Sequence, residues 1–127
     1  MSDTTTRGVR VQVESEYLPD RSSPQENQYF FSYTVQITNI GAEVVQLIDR
    51  HWVITNANGD VEHVRGPGVV GEQPVLEPGQ GFEYTSFCPL TTSFGTMHGE
   101  YGMRSRAGES FAADIGAFAL ALPHVVN

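Results

Sequence analysis

From Val9 to Tyr17 the apolar residues Val9, Val11, Val13 and Tyr17 alternate with Arg10, Gln12, Glu14 and Glu16. A period of two predicts a strand with one buried face. Residues 1–7 ahead of it are polar and threonine-rich, and are expected to form a mobile N-terminal segment before a single domain over 8–127. A polar connection from Pro19 to Gln28 leads into Tyr29–Ile37, where Phe31, Tyr33, Val35 and Ile37 make one face of a long strand that Asn39-Ile40-Gly41 turns. Val44–Thr55 reads as a third strand, or two short ones, with Ile48, Arg50, Trp52 and Ile54 on one face and Leu47, Asp49, His51 and Val53 on the other. Asn58-Gly59 then predicts a type I′ hairpin, because that turn needs positive φ at both central residues, and Val61–Arg65 returns antiparallel. After a glycine-rich loop, Phe82–Ser86, Met97–Arg104 and Phe111–Leu122 supply the remaining strands.

No helical period survives ten residues, and 13 glycines and 7 prolines punctuate strands along the whole chain. The fold class is therefore all-β: an antiparallel sandwich of immunoglobulin or fibronectin type III kind with about seven strands, a closed barrel being the alternative. Trp52 lies on the third strand, where such sandwiches bury a tryptophan. Met97-x-Gly99-x-Tyr101-x-Met103 matches the spacing around a tyrosine corner, with Met103 where antibody domains carry a cysteine.

Composition narrows the partners. Asp and Glu total 15 against 7 cations, all of them arginine, for a net charge of −8. That field repels phosphate backbones and counts against nucleic acid as a partner. The one cysteine, Cys88, allows neither an internal disulfide nor a cysteine-based zinc site, which favours a reducing compartment. Neither a signal-peptide pattern nor an apolar stretch of about 18 residues occurs, so the expected location is cytoplasmic and no membrane partner is expected.

Gly66-x-Gly68-x-x-Gly71 satisfies the dinucleotide-binding string, but Pro74, Pro78 and Gly79 forbid the helix that such a site requires. A milder reading keeps an anion-binding loop, in which backbone amides of Gly66, Gly68, Val69, Val70 and Gly71 form a concave nest beside Arg65. The competing reading is a tight crossover that needs glycine for its dihedrals. His51, His63, His98 and His124 invite a metal, and His51 shares a strand face with Asp49, yet no zinc spacing or calcium loop is present. No metal or other cofactor is expected. Arg50 falls on the core face and so must be paired or reach the rim; a structural salt bridge to Glu72 or Glu83, with Trp52 stacked nearby, is read ahead of a ligand-binding arginine. Cys88 precedes Pro89 in an apolar context, no G-x-S-x-G elbow exists, and no spacing brings Ser86 to His98. No catalytic residue is expected.

These residues also stand in a familiar order. Arg50-His51-Trp52, Asn58-Gly59, Gly66-x-Gly68-Val69-Val70-Gly71-Glu72-Gln73-Pro74, Pro78-Gly79, Phe82-x-Tyr84-Thr85-Ser86, Gly95-x-Met97-x-Gly99-x-Tyr101 and Phe111…Ile115…Phe118 together resemble the ApaG (CorD) family from about Val9 to Pro123. The resemblance implies a fibronectin type III-like sandwich. It also implies a link to cobalt tolerance and magnesium efflux, as in enteric bacteria, and a gene neighbourhood shared with a diadenosine tetraphosphate hydrolase. Related domains in F-box proteins and in a DNA polymerase-interacting protein look like interaction modules, and the family supplies no catalytic residue. Two departures, Phe87 in place of a glycine and Gly116 in place of a proline, are expected to alter loop geometry at those points.

The function expected from all this is that of a non-enzymatic binding module with a protein partner and an indirect effect on divalent cations. Its first contact candidates are Asp49, Arg50 and His51 on the third strand, and Glu72 and Gln73 in the loop reaching Pro74. The alternatives are phosphate, pyrophosphate or nucleotide binding at Gly66–Gly71, and direct Co²⁺ or Mg²⁺ binding through His51 and Asp49. With no lysine to blunt them, edge strands could also pair between copies as a homo-oligomer.

Overall fold

The computed structural model describes residues 1–123, and His124 lies outside them. Nine strands run in chain order: β1 (Ser2–Thr6), β2 (Val9–Tyr17), β3 (Tyr29–Asn39), β4 (Val45–Asn56), β5 (Val61–Pro67), β6 (Val75–Leu76), β7 (Gly81–Leu90), β8 (Phe94–Ser105) and β9 (Ser110–Ala121). They form an antiparallel sandwich. One sheet has the order β1-β2-β3-β7 and the other β5-β4-β8-β9, with the short β6 also on β4. All seven strands read from the sequence are present, and two further strands join them.

The first addition corrects the expected mobile segment. Ser2–Thr6 pairs with β2 from Ser2↔Val13 to Thr6↔Val9. Arg7 and Gly8, at φ 48° and 82°, make the two-residue turn between them. The segment is polar and lacks an apolar face of its own, but threonine favours extended backbone and the ladder needs no apolar side chain. Arg10 clamps it from β2, donating to both carboxylate oxygens of Asp3 at 2.9 and 2.6 Å.

Alternation on β4 breaks at a bulge between Leu47 and Asp49. One extra residue reverses the facing of everything before it, so Leu47, at 0% exposure, is core and Ile48 is not. Beyond the bulge the expected face holds, and Trp52 is 2% exposed, edge-on to Tyr33, Tyr101 and Phe118. A second irregularity lies where Met97 pairs with Phe118 but Gly99 with Ile115, which places Gly116 in a bulge of β9. Phe87 sits within β7, so both departures from the family pattern fall in strands and not in loops.

Two local expectations fail for physical reasons. Asn58-Gly59 is not a type I′ turn: Gly59 alone has positive φ, at 84°, and Asn56 N–H bonds the carbonyl of Asp60 around a three-residue loop. The Asn56 side chain organises that loop by accepting from the amides of Asn58 and Asp60. Tyr101 is no tyrosine corner, because it lies inside β8 and its hydroxyl meets the Tyr84 hydroxyl of the facing sheet, not upstream backbone.

The sandwich is closed along one side only. There β9 lies against β1 and β2: the Ser15 hydroxyl donates to the Ala119 carbonyl at 2.7 Å and the Asp114 amide donates to Thr6 Oγ1 at 3.1 Å. On the opposite side β7 and β5 end their sheets. Among the described residues no helix is long and apolar enough to cross a membrane.

Candidate functional site

The loop after β5 is built from three unusual backbone conformations. Gly68, at φ 59°, passes so close to the chain returning from the turn that a Cβ would sit 2.2 Å from the Glu72 carbonyl oxygen. Only glycine fits there. Val69 and Glu72 then exchange both backbone hydrogen bonds, at 2.8 and 2.9 Å, around Val70 and Gly71, whose φ values are 43° and 81°. This is a type I′ turn, here carried by Val-Gly. The Gly68 amide donates to the Ile48 carbonyl at 2.8 Å. Of the consecutive amides on which an anion nest depends, those of Gly68 and Val69 are thus already committed.

Arg50 finds carbonyls where the sequence suggested carboxylates. Its Nη1 donates to the carbonyls of Pro67 and Gly68 at 3.0 and 2.9 Å. Its guanidinium lies flat over Gly66, about where a Cβ would meet it at 3.0–3.1 Å. Neither Glu72 nor Glu83 pairs with it: Glu72 is exposed at the turn, and Glu83 faces outward from β7 opposite Gln36. The absence of a side chain at Gly66 is therefore what lets an arginine lie across the end of β5 and fasten the loop.

Register gathers the polar residues of the second sheet onto its outer face. His51 stands opposite Arg65 on β5 and Glu100 on β8, while Val53 stands opposite His63 and His98. His51 Nε2 and His63 Nδ1 share a hydrogen bond of 2.8 Å with the rings stacked 5.1 Å apart. His51 Nδ1 lies 3.7 Å from the Glu100 carboxylate. The Asp49 carboxylate packs over Gly102, so His51 has neighbours other than the one its strand suggested. Among the described residues no three His, Cys, Asp or Glu side chains converge as a metal ion requires.

Together Asp49, Arg50, His51 and Gln73 border one shallow depression of about 590 Å³, which Arg65 and Glu100 complete. Gln73 is fixed there by donating to the Ile48 carbonyl at 2.8 Å. Glu72 does not line it. Glu100 escaped the sequence reading, and Arg65 and His63, noted there for an anion nest and for a metal, were not placed beside His51, because all three lie on other strands. The signal was available only as registry: placing β5 and β8 beside β4 with alternation in phase puts all three on the face of His51.

The buried thiol and tyrosine hydroxyls are not poised to react. Burial pushes the Cys88 thiol up to about 12 and raises the tyrosine hydroxyls of positions 33, 84 and 101 above their ordinary value. Such groups are held neutral, which suits packing and not nucleophilic attack. Ser86 faces the sheet interior and His98 the outer surface of the other sheet, so they do not meet.

Comparison with known proteins agrees with this architecture. The ApaG domain model matches residues 19–105. Protein ApaG of Methylobacterium radiotolerans is 55% identical over 125 residues, covering 98% of this chain and 96% of that protein. Protein ApaG of Rhodopseudomonas palustris is 56% identical over 123 residues, covering 97% and 95%. A crystal structure of an ApaA protein from Bordetella pertussis superposes with a TM-score of 0.90 at 49% identity, covering 92% of this chain and 95% of that one. The chain therefore belongs to the ApaG family.

Proposed function

We propose that this chain is a non-enzymatic binding module that docks a protein partner on the outer face of its second sheet. The observation that carries the reading is the shallow, open depression where Asp49 and His51 of β4, Arg65 of β5 and Glu100 of β8 set side chains of both signs on paired strands, with Gln73 from the loop and Arg50 reaching its edge. Exposed charges of both signs, an arginine among them, suit a partner interface, which takes about 800 Å² from each side. The effect on divalent cations that the family resemblance implies would then run through the partner.

The other two readings are weaker. Phosphate or nucleotide binding at Gly66–Gly71 must compete with the hydrogen bonds already made by the Gly68 and Val69 amides. Direct metal binding has two imidazoles, those of His51 and His63, that spend their facing nitrogens on each other.

The test is affinity capture with crosslinking from lysate, using the native chain and the exposed charge reversal Arg65→Glu. A partner enriched by the native chain and lost with the variant supports the reading. Capture that ignores the substitution, or none above background, defeats it.

A further inference from the structure

The open side of the sandwich holds a groove that the outer-face reading leaves unused. Two adjoining depressions of about 210 and 290 Å³ run between β7 and β5 and share Ile54, Glu62 and Pro89. Apolar side chains facing it are not fully covered: Ile54 of β4 and Val64 of β5 are only partly buried. At one end lies Arg50, for which no carboxylate is in ion-pair reach among the described residues. Toward the other end Glu62 points inward from β5 with no cation in reach among them. Arg50 stands opposite Gly66 and Ile54 opposite Glu62, so the two charges are four β5 positions apart, roughly 13 Å along a strand.

We infer that this groove takes an extended polypeptide segment, which adds as a fifth strand to the free edge of β7 and answers Arg50 and Glu62 with opposite charges. The inference rests on the chain being a polypeptide-binding module and gives that module a second surface, which shares Arg50 with the outer depression. β7 is the receiving edge because its inward residues Phe82, Tyr84, Ser86 and Cys88 carry no charge to repel a strand. β5, by contrast, is guarded by the inward carboxylate of Glu62. A strand added to β7 has alternate side chains facing β5, which is the geometry of recognition by strand addition. The same uncharged β7 face makes a second copy the poorer occupant, since β7 of a neighbour would leave Arg50 and Glu62 unanswered. Along β7 the Arg50 end comes first, near Ser86, and the Glu62 end reaches Leu90 and Thr91. An antiparallel segment must therefore read basic-x-apolar-x-acidic.

The probe is a capped nonapeptide, Thr-Thr-Lys-Thr-Val-Thr-Glu-Thr-Thr, titrated into the full isotope-labelled chain beside a twin with Lys and Glu exchanged. Saturable shifts on β7 and β5, slowed amide exchange along β7, and affinity for the first peptide about tenfold above its twin are expected. Glu62→Lys, an exposed change that leaves the fold's amide spectrum intact, should abolish or invert the preference. No saturable response at millimolar peptide, equal affinity for the twins, protection on β5 alone, or self-association through β7 without a peptide response each overturns the inference. None of these outcomes touches capture of a partner by Arg65 on the outer face, so the two ideas fail separately.

Discussion

The hydroxyl of Tyr84, from one sheet, and that of Tyr101, from the other, are hydrogen-bonded to each other inside the sandwich. Each would otherwise be a buried polar group without a partner, and the cost of orphaning one exceeds the net worth of the bond. Tyr84→Phe or Tyr101→Phe alone should lose about 1–3 kcal/mol, whereas the double substitution should lose less than the sum of the singles. Denaturant unfolding of the four proteins measures this. Additive losses would show that the hydroxyls do not depend on each other.

The same burial sets an alkaline limit. Cys88, raised from 9.0 to about 12, and the tyrosines at 33, 84 and 101, raised above 10.0, all hold their protons more tightly folded than unfolded. Their contribution is whole below pH 9 and is lost as pH climbs toward 12. Stability should therefore decline steadily from about pH 9 upward. In native protein at pH 8 the Cys88 thiol should resist a thiol reagent and react at the rate of unfolding; immediate labelling would contradict its burial.

Val70 is a β-branched residue held at φ 43° in a two-residue turn that Asn-Gly suits better. Its side chain is exposed, so nothing is lost by replacing it. Val70→Asn should stabilise the chain by roughly 1 kcal/mol, read as a rise in the denaturation midpoint at constant slope. An unchanged or lower midpoint would mean that the turn is not strained.

The bulge in β4 makes adjacent residues unequal. Leu47→Ala should cost about 2–5 kcal/mol, because it empties a filled core position, while Ile48→Ala should cost less than about 1. Thermal melts of the two variants decide it, and equal losses would place the bulge elsewhere.

What could be read from the sequence followed from strict alternation. β2 and β3 show their inward valines, Phe31 and Ile37 directly, and Trp52 is core as its strand suggested. Reading failed wherever one residue is added to a ladder or a side chain replaces a backbone partner. The bulge at Leu47 reverses a face without any marker in composition, and Asn56 reshapes a hairpin that Asn58-Gly59 seemed to define. The partner of Arg50 was sought among carboxylates because charge is visible in sequence, but backbone carbonyls, which every residue carries, took that role. Of the outer surface, Asp49 and His51 were legible as polar positions on one strand. His63, Arg65 and Glu100 join them only through pairing with strands distant in the chain.

Hydrogen exchange of the chain with and without its captured partner tests the central idea, recognition by a rigid polar surface, most directly. The account predicts slowed exchange in β4 around Asp49–His51 and in the segment from Gly66 to Pro74, with none of it in Arg65→Glu. Protection confined to other strands, or turnover of a nucleotide by the purified chain that one side-chain substitution abolishes, would contradict it.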